Sequence, residues 1–245
     1  MRLYLALIAT AVGYLAGSIP FAVIVVRLFG HGRRLSPTAL PVPGTDDVLV
    51  TDAVSATTVR LQLGARYGCL TSLLDMAKAS AVTLAFKLAY PGAPYFLVAS
   101  GLAVVGHVWP VFNRFRGGRG QSPVIGGLFV VDWPAALVAY PTAQLLGLAS
   151  GFRSYVARFA PMLVAAVWLY VRFADLSYVF YALGLFAVRI VASRHDIREY
   201  ARIRRAGGLR NLSEELELLK LRETLAQGMA RLSRWARRGR VDRGS

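Results

Sequence analysis

Apolar runs long enough to cross a bilayer recur along this chain, and they leave it few folds to choose from. Residues 3–26 are almost wholly apolar, interrupted by Gly13, Gly17, Ser18 and Pro20, with Arg27 directly after. A helix needs about 20 residues to cross the roughly 30 Å of hydrocarbon, and backbone in lipid must satisfy its own hydrogen bonds. Further apolar runs at 69–90, 95–112, 123–131, 135–149, 159–171 and 176–190 reach or approach that length. The expected fold class is therefore all-α, a polytopic membrane helical bundle of about seven transmembrane helices, with six as the rival count because 123–131 is short. The first run is too long for a typical signal-peptide core and lacks a convincing cleavage site, so it is read as an uncleaved span.

Composition agrees. Of 245 residues, 56% are hydrophobic and 17% charged, with a mean hydropathy of +0.48, where a soluble domain of this size would be more polar. The net charge of +16 could suggest nucleic acid. The arginines cluster just outside the apolar runs, however, which is what topology signals and anionic lipid headgroups require, so nucleic acid is excluded as a partner. Cys69 is the single cysteine, which rules out an intrachain disulfide and argues against a zinc site. No metal and no cofactor are expected.

The basic residues also orient the chain. Arginines mark the long connection 29–67, the loop 113–120, the turn with Arg153 and Arg158, and the tail, while the turns at Pro91 and Asp132 have none. The arginine-rich side is then cytoplasmic, with the N-terminus outside and the C-terminus inside. The connection is read as having no clear helix of its own, and its hydroxyls beside arginines suit either phosphate binding or helix capping by Ser55 or Thr57. Asp75 and Lys78, three apart in the second run, can pair and so lower the cost of membrane burial. The domain division is 1–193 for the bundle and 194–245 for a basic cytoplasmic tail. In that tail Ser213 can cap an amphipathic helix with Leu216, Leu219, Leu225, Met229 and Leu232 on one stripe. Such a helix suits a surface of anionic lipid headgroups, each nearby basic residue contributing about 1 kcal/mol.

One loop has the makings of an anion site. In Gly106-His107-Val108-Trp109-Pro110-Val111-Phe112-Asn113-Arg114-Phe115-Arg116-Gly117-Gly118-Arg119-Gly120-Gln121-Ser122 an apolar segment ends abruptly in glycines and arginines. Positive φ at Gly117, Gly118 and Gly120 would turn backbone N–H groups toward one point, with Arg116 and Arg119 supplying charge. A helix starting near Pro123 would add its N-terminal amides. The spacing is not that of a P-loop, so a nucleotide is not the implied ligand. His107, alone a packing residue, becomes a candidate for proton transfer beside such a loop.

Gly17-Ser18-Ile19-Pro20-Phe21, Leu73-Leu74-Asp75-Met76-Ala77-Lys78, and above all Gly106 through Phe112 with Phe115-Arg116-Gly117-Gly118-Arg119-Gly120, resemble the PlsY-type glycerol-3-phosphate acyltransferases in order and spacing. The likeness spans roughly residues 3–211. It implies a seven-helix bacterial inner-membrane enzyme with cytoplasmic functional loops, which moves an acyl chain from acyl phosphate to glycerol 3-phosphate to form lysophosphatidate, without metal or cofactor. Residue by residue it implies catalytic roles for His107, His195 and Thr57, and phosphate binding by Gly117, Gly118, Arg119 and Gly120. Arg116, Arg60 and Thr51 stand at or near further binding positions.

The chain also departs from that family. Arginines replace the loop lysines, and a fork is not a point charge. Thr58 stands where the first-loop motif has asparagine, and Tyr200 follows Arg198-Glu199 where the third motif has asparagine. The chemistry still closes: acyl phosphate is already activated, so positioning, neutralisation of two phosphates and a proton acceptor suffice. The alternative is a catalytically degenerate family member acting as a lipid- or partner-binding membrane protein. A transporter using Asp75 and Lys78 is a third reading, and no internal repeat accompanies it.

Overall fold

The computed structural model describes residues 2–41, 48–51, 53–150 and 153–205. The amphipathic helix expected within 206–245 lies outside the described residues. The order is α1 (Leu3–Gly17), α2 (Phe21–Phe29), β1 (Thr38–Pro41), β2 (Val48–Thr51), α3 (Ala56–Leu63), α4 (Ala65–Ala89), α5 (Tyr95–Val108), α6 (Gln121–Val131), α7 (Trp133–Ser150), α8 (Arg153–Phe173), α9 (Leu176–Ala192) and α10 (Arg194–Arg205). All seven expected apolar runs fall in helices. Among the described residues four stretches, Leu3–Phe29, Ala65–Ala89, Tyr95–Asn113 and Val156–Phe173, are long and apolar enough to cross a membrane, while Gln121–Val131 and Leu176–Ala192 are shorter apolar helices.

Lipid tails are as apolar as leucine, so helices in a membrane associate through close packing rather than water exclusion. The interfaces here use small residues accordingly. A methyl group on Gly13 or Gly17 would run into the backbone of Ala99 or Ala103, which brings α1 against α5, and Gly126 meets Met76 in the same way between α6 and α4. Ala9, Ala79, Ala99, Ala103, Ala135, Ala139 and Ala165 are buried in the core, while Leu3, Leu7, Leu88, Val171 and Phe180 face outward.

Breaks in the helices are closed by polar side chains. Pro20 separates α1 from α2, and the freed Ile19 carbonyl accepts a hydrogen bond from Lys78 Nζ at 2.7 Å. Lys87 Nζ donates to the carbonyls of Val130 and Val131 at 2.6 and 3.0 Å, closing the C-terminus of α6. At the next turn Asp132 accepts from Trp168 Nε1 at 2.8 Å and pairs with Arg172 at 2.9 Å.

The long connection differs from expectation: it contains a helix of its own, α3, and a two-stranded antiparallel ribbon in which Thr38 pairs with Thr51 and Pro41 with Val48. The helix has a local cause. Ser55 Oγ accepts from Thr58 N at 3.4 Å to start it, and Gly64, at φ +99°, ends it. Ser55 is thus the capping hydroxyl of the pair considered from sequence.

Candidate functional site

The glycine loop leaves α5 through a 3-10 turn at Val111–Asn113 and reverses at Arg114 and Phe115, both in the left-handed region with φ of 53° and 59°. Asn113 Nδ2 donates to the Arg116 carbonyl at 2.6 Å and locks the reversal. Of the three glycines expected to need positive φ, Gly120 alone has it, at +78°, where it starts α6. Gly117 and Gly118 are glycines for space instead. A methyl on Gly117 would strike the carbonyl oxygens of His107 and Val108, and one on Gly118 would strike His107 Nε2. The loop is therefore pressed flat on the end of α5, with Gly118 N donating to the His107 carbonyl at 3.2 Å and Val54 N to the Gly117 carbonyl at 3.1 Å.

Beneath the loop lies a buried polar trio. Asp75 Oδ1 is 2.8 Å from Lys78 Nζ and 3.3 Å from His107 Nδ1, and Lys78 Nζ is 3.2 Å from the same ring nitrogen. The side chains are only 2%, 4% and 8% exposed. One cluster thus ties together the α1–α2 break, α4, α5 and the glycine loop. His107 touches Gly118 from below and does not line the large cleft above it.

That cleft, of about 1470 Å³, opens where the C-terminal ends of α2, α5 and α9 meet the glycine loop and the start of α10. Seven arginines line it: Arg27, Arg33, Arg34, Arg116, Arg119, Arg194 and Arg198, together with His195. Among the described residues no carboxylate does. Arg119 is already engaged, its Nε and Nη2 donating to the two Asp196 oxygens at 3.0 and 2.7 Å, with Arg158 on the same carboxylate at 3.4 Å. This bidentate fork joins the glycine loop to α10, so that Arg194, His195 and Arg198 face the loop across the cleft.

The residues singled out from sequence divide. Arg116, Gly117, Gly118, Arg119 and His195 line the cleft, and Gly120 lies at its edge where α6 begins. Thr57 and Arg60 are exposed on α3 and do not line it, while Thr51 is in β2, which packs against α10. Arg27, Arg33, Arg34, Arg194 and Arg198 were missed as site residues. Arginines just after an apolar run read as orientation signals, and only the fold turns them toward one place. Asp196, adjacent to His195, was missed because its partner is 77 residues away.

Fold and cleft together define a polytopic membrane protein with an arginine-lined cleft at one end of its bundle. The glycerol-3-phosphate acyltransferase family profile matches residues 48–203. Glycerol-3-phosphate acyltransferase of Maricaulis maris is 35% identical over 164 residues, covering 66% of this chain and 69% of its own; that of Nitrobacter winogradskyi is 36% identical over 160 residues, covering 64% and 73%. Crystal structures of PlsY, an integral membrane glycerol 3-phosphate acyltransferase, in its lysophosphatidic acid and glycerol 3-phosphate forms, each superpose with a TM-score of 0.63 at 25% identity, covering 80% of this chain and 92% of theirs. This chain belongs to the glycerol-3-phosphate acyltransferase family.

Proposed function

We propose that this chain transfers an acyl group from acyl phosphate to the 1-hydroxyl of glycerol 3-phosphate, forming lysophosphatidate for phospholipid synthesis. The observation that carries this is the cleft: seven arginines and no carboxylate among its described lining residues, next to helices with exposed apolar faces. Two phosphate-bearing substrates need that excess of cations, and membrane placement gives the acyl chain a route from the bilayer. In this reading Arg116 and the glycine loop receive one phosphate while Arg194, His195 and Arg198 receive the other, and Arg119, forked to Asp196, holds the two walls in register. His107 supports the loop from beneath. The acceptor oxygen attacks the acyl carbon, the bond from that carbon to the phosphate oxygen breaks, and the departing phosphate takes the hydroxyl proton.

The positive-inside distribution supports a cytoplasmic cleft, with the N-terminus outside and the C-terminus inside. The bundle is 1–193 and the basic tail is 194–245, whose charge suits binding to anionic headgroups. The test is phosphate release from palmitoyl phosphate by the purified protein, with and without glycerol 3-phosphate. Release that depends on glycerol 3-phosphate, with lysophosphatidate formed, supports the assignment. Arg119→Ala should reduce that release about 10²-fold by unlatching the walls; unchanged turnover removes the latch from the mechanism. Thr57 and Arg60 stand off the cleft, which favours the second reading, a degenerate member that binds lipid or a partner. Absence of turnover in folded wild-type protein would select it.

A further inference from the structure

The turn that carries the glycine loop away from α5 has little packing of its own: Val111, Phe112 and Phe115 are all exposed. Its internal bonds give it shape without giving it a place. The Pro110 carbonyl accepts from Asn113 N at 3.1 Å and from Phe115 N at 2.9 Å, and the Asn113 carbonyl accepts from Arg116 N at 3.1 Å. A segment closed on itself, with few buried contacts, moves as a unit unless something outside it fixes its root.

That root is held from α1. Tyr14 Oη donates to the Trp109 carbonyl at 2.9 Å, and Val111 N donates to Ser18 Oγ at 3.4 Å. Pro110 itself has no N–H to offer, so these two bonds tie down the peptide groups on either side of it. Tyr14 and Ser18 are four residues apart, one turn of helix, which puts both side chains on one face. They are also tied to each other, because Ser18 Oγ donates to the Tyr14 carbonyl at 2.8 Å. Gly106 lets α5 come this close: a methyl group there would strike the Tyr14 carbonyl oxygen and stand 2.9 Å from Ser18 N. Ser18 is wholly buried, and the next residue, Ile19, gives its carbonyl to Lys78, which also meets His107 under the loop. The end of α1 is thus pinned from below while it grips the turn above.

We propose that Tyr14 and Ser18 are positioning residues that fix the root of the glycine loop and, through the turn, set where Arg116 and Gly117 stand in the cleft. Neither residue is among the described lining of the cleft, so both act through the loop and not on substrate. Their effect on rate rests on the acyltransfer reading; their effect on the loop does not.

The experiment compares Tyr14→Phe and Ser18→Ala, each of which removes one hydroxyl and adds no volume, with wild-type full chain in detergent. Two quantities are read: amide hydrogen exchange over residues 109–118, and the initial rate of glycerol 3-phosphate-dependent phosphate release from palmitoyl phosphate. Both variants should exchange faster in that segment and lose about tenfold in kcat. Thr83→Val is the matched control. Its hydroxyl is wholly buried and donates back to the Ala79 carbonyl within α4, as that of Ser18 does within α1, so its loss should cost comparable stability and leave both readings at wild-type values. In a Gly117→Ala background, where the loop is already lifted, adding Tyr14→Phe should cost no further activity. If Ser18→Ala cannot be obtained folded, Tyr14→Phe decides alone. Wild-type exchange in Tyr14→Phe overturns the clamp; faster exchange with wild-type kcat, or a full additive loss in the Gly117→Ala background, overturns the positioning role. Wild-type protein without turnover removes the acyltransfer reading instead, and the exchange comparison still decides whether the two hydroxyls hold the loop.

Discussion

Replacing Gly117 with alanine is expected to lower glycerol 3-phosphate-dependent phosphate release by about 10²-fold, the loss that a 1 Å misplacement of a positioned group can cause. Alanine is allowed by the backbone at this position, where φ is not positive; contact is what forbids it. The added methyl would enter the space held by the carbonyl oxygens of His107 and Val108, and would stand 2.7 Å from Pro110 Cδ. Two of these obstacles are backbone, which cannot rotate aside, so the loop itself must lift. Lifting it also disturbs the bond from Val54 N to the Gly117 carbonyl and, two residues on, the Arg119 fork. Gly184→Ala, where a methyl meets nothing within 4 Å, is the matched control and should retain wild-type turnover. The measurement is initial rate on palmitoyl phosphate for protein that elutes as a folded species; equal rates for both variants would show that loop placement does not matter.

The second large effect concerns the trio below. Asp75→Ala should destabilise the bundle by about 3–5 kcal/mol, the usual result of stripping one partner from a buried pair. Lys78 would keep its bond to the Ile19 carbonyl but lose its counter-charge at 2.8 Å while only 4% exposed. His107 would lose the same carboxylate at 3.3 Å. The pair itself is not intrinsically worth that much, because desolvating both ions offsets most of their attraction. The double variant Asp75→Leu with Lys78→Met should therefore recover a large part of the loss. Denaturant or thermal unfolding in detergent measures both. A double variant no more stable than Asp75→Ala would mean that the charges, and not merely their pairing, organise the α1–α2 break.

Much of the architecture was legible because it depends on neighbours in the chain. The seven apolar runs, the break at Pro20, the pairing of Asp75 with Lys78 three residues on, and the glycine loop ahead of a new helix all follow from hydropathy, proline chemistry and helical spacing. The helix in the first connection was not legible. Ser55 and Gly64 signal its ends, but a proline-rich, β-branched stretch precedes them and hides the signal.

The site was legible in its centre and not at its edges. Composition and motif marked Arg116, Gly117, Gly118, Arg119 and His195, and these do meet in one cleft. The reason given for Gly117 and Gly118 was incomplete: sequence shows that a side chain is missing, and only packing shows whether conformation or space required it. The burial of Arg189 was invisible for the same reason, since an arginine in an apolar helix says nothing of what lies across from it.

The chain by itself determined that this is a basic, polytopic helical membrane protein with a glycine-arginine loop, because run length, charge placement and local backbone chemistry act over a few residues. Tertiary structure alone decided which of its many arginines share a cleft, that Asp196 holds Arg119 from 77 residues away, that Lys78 closes the carbonyl of Ile19 from 59 away, and that Arg189 is buried over the Phe159 ring. Those are contacts between distant segments, and they exist only once the helices have packed.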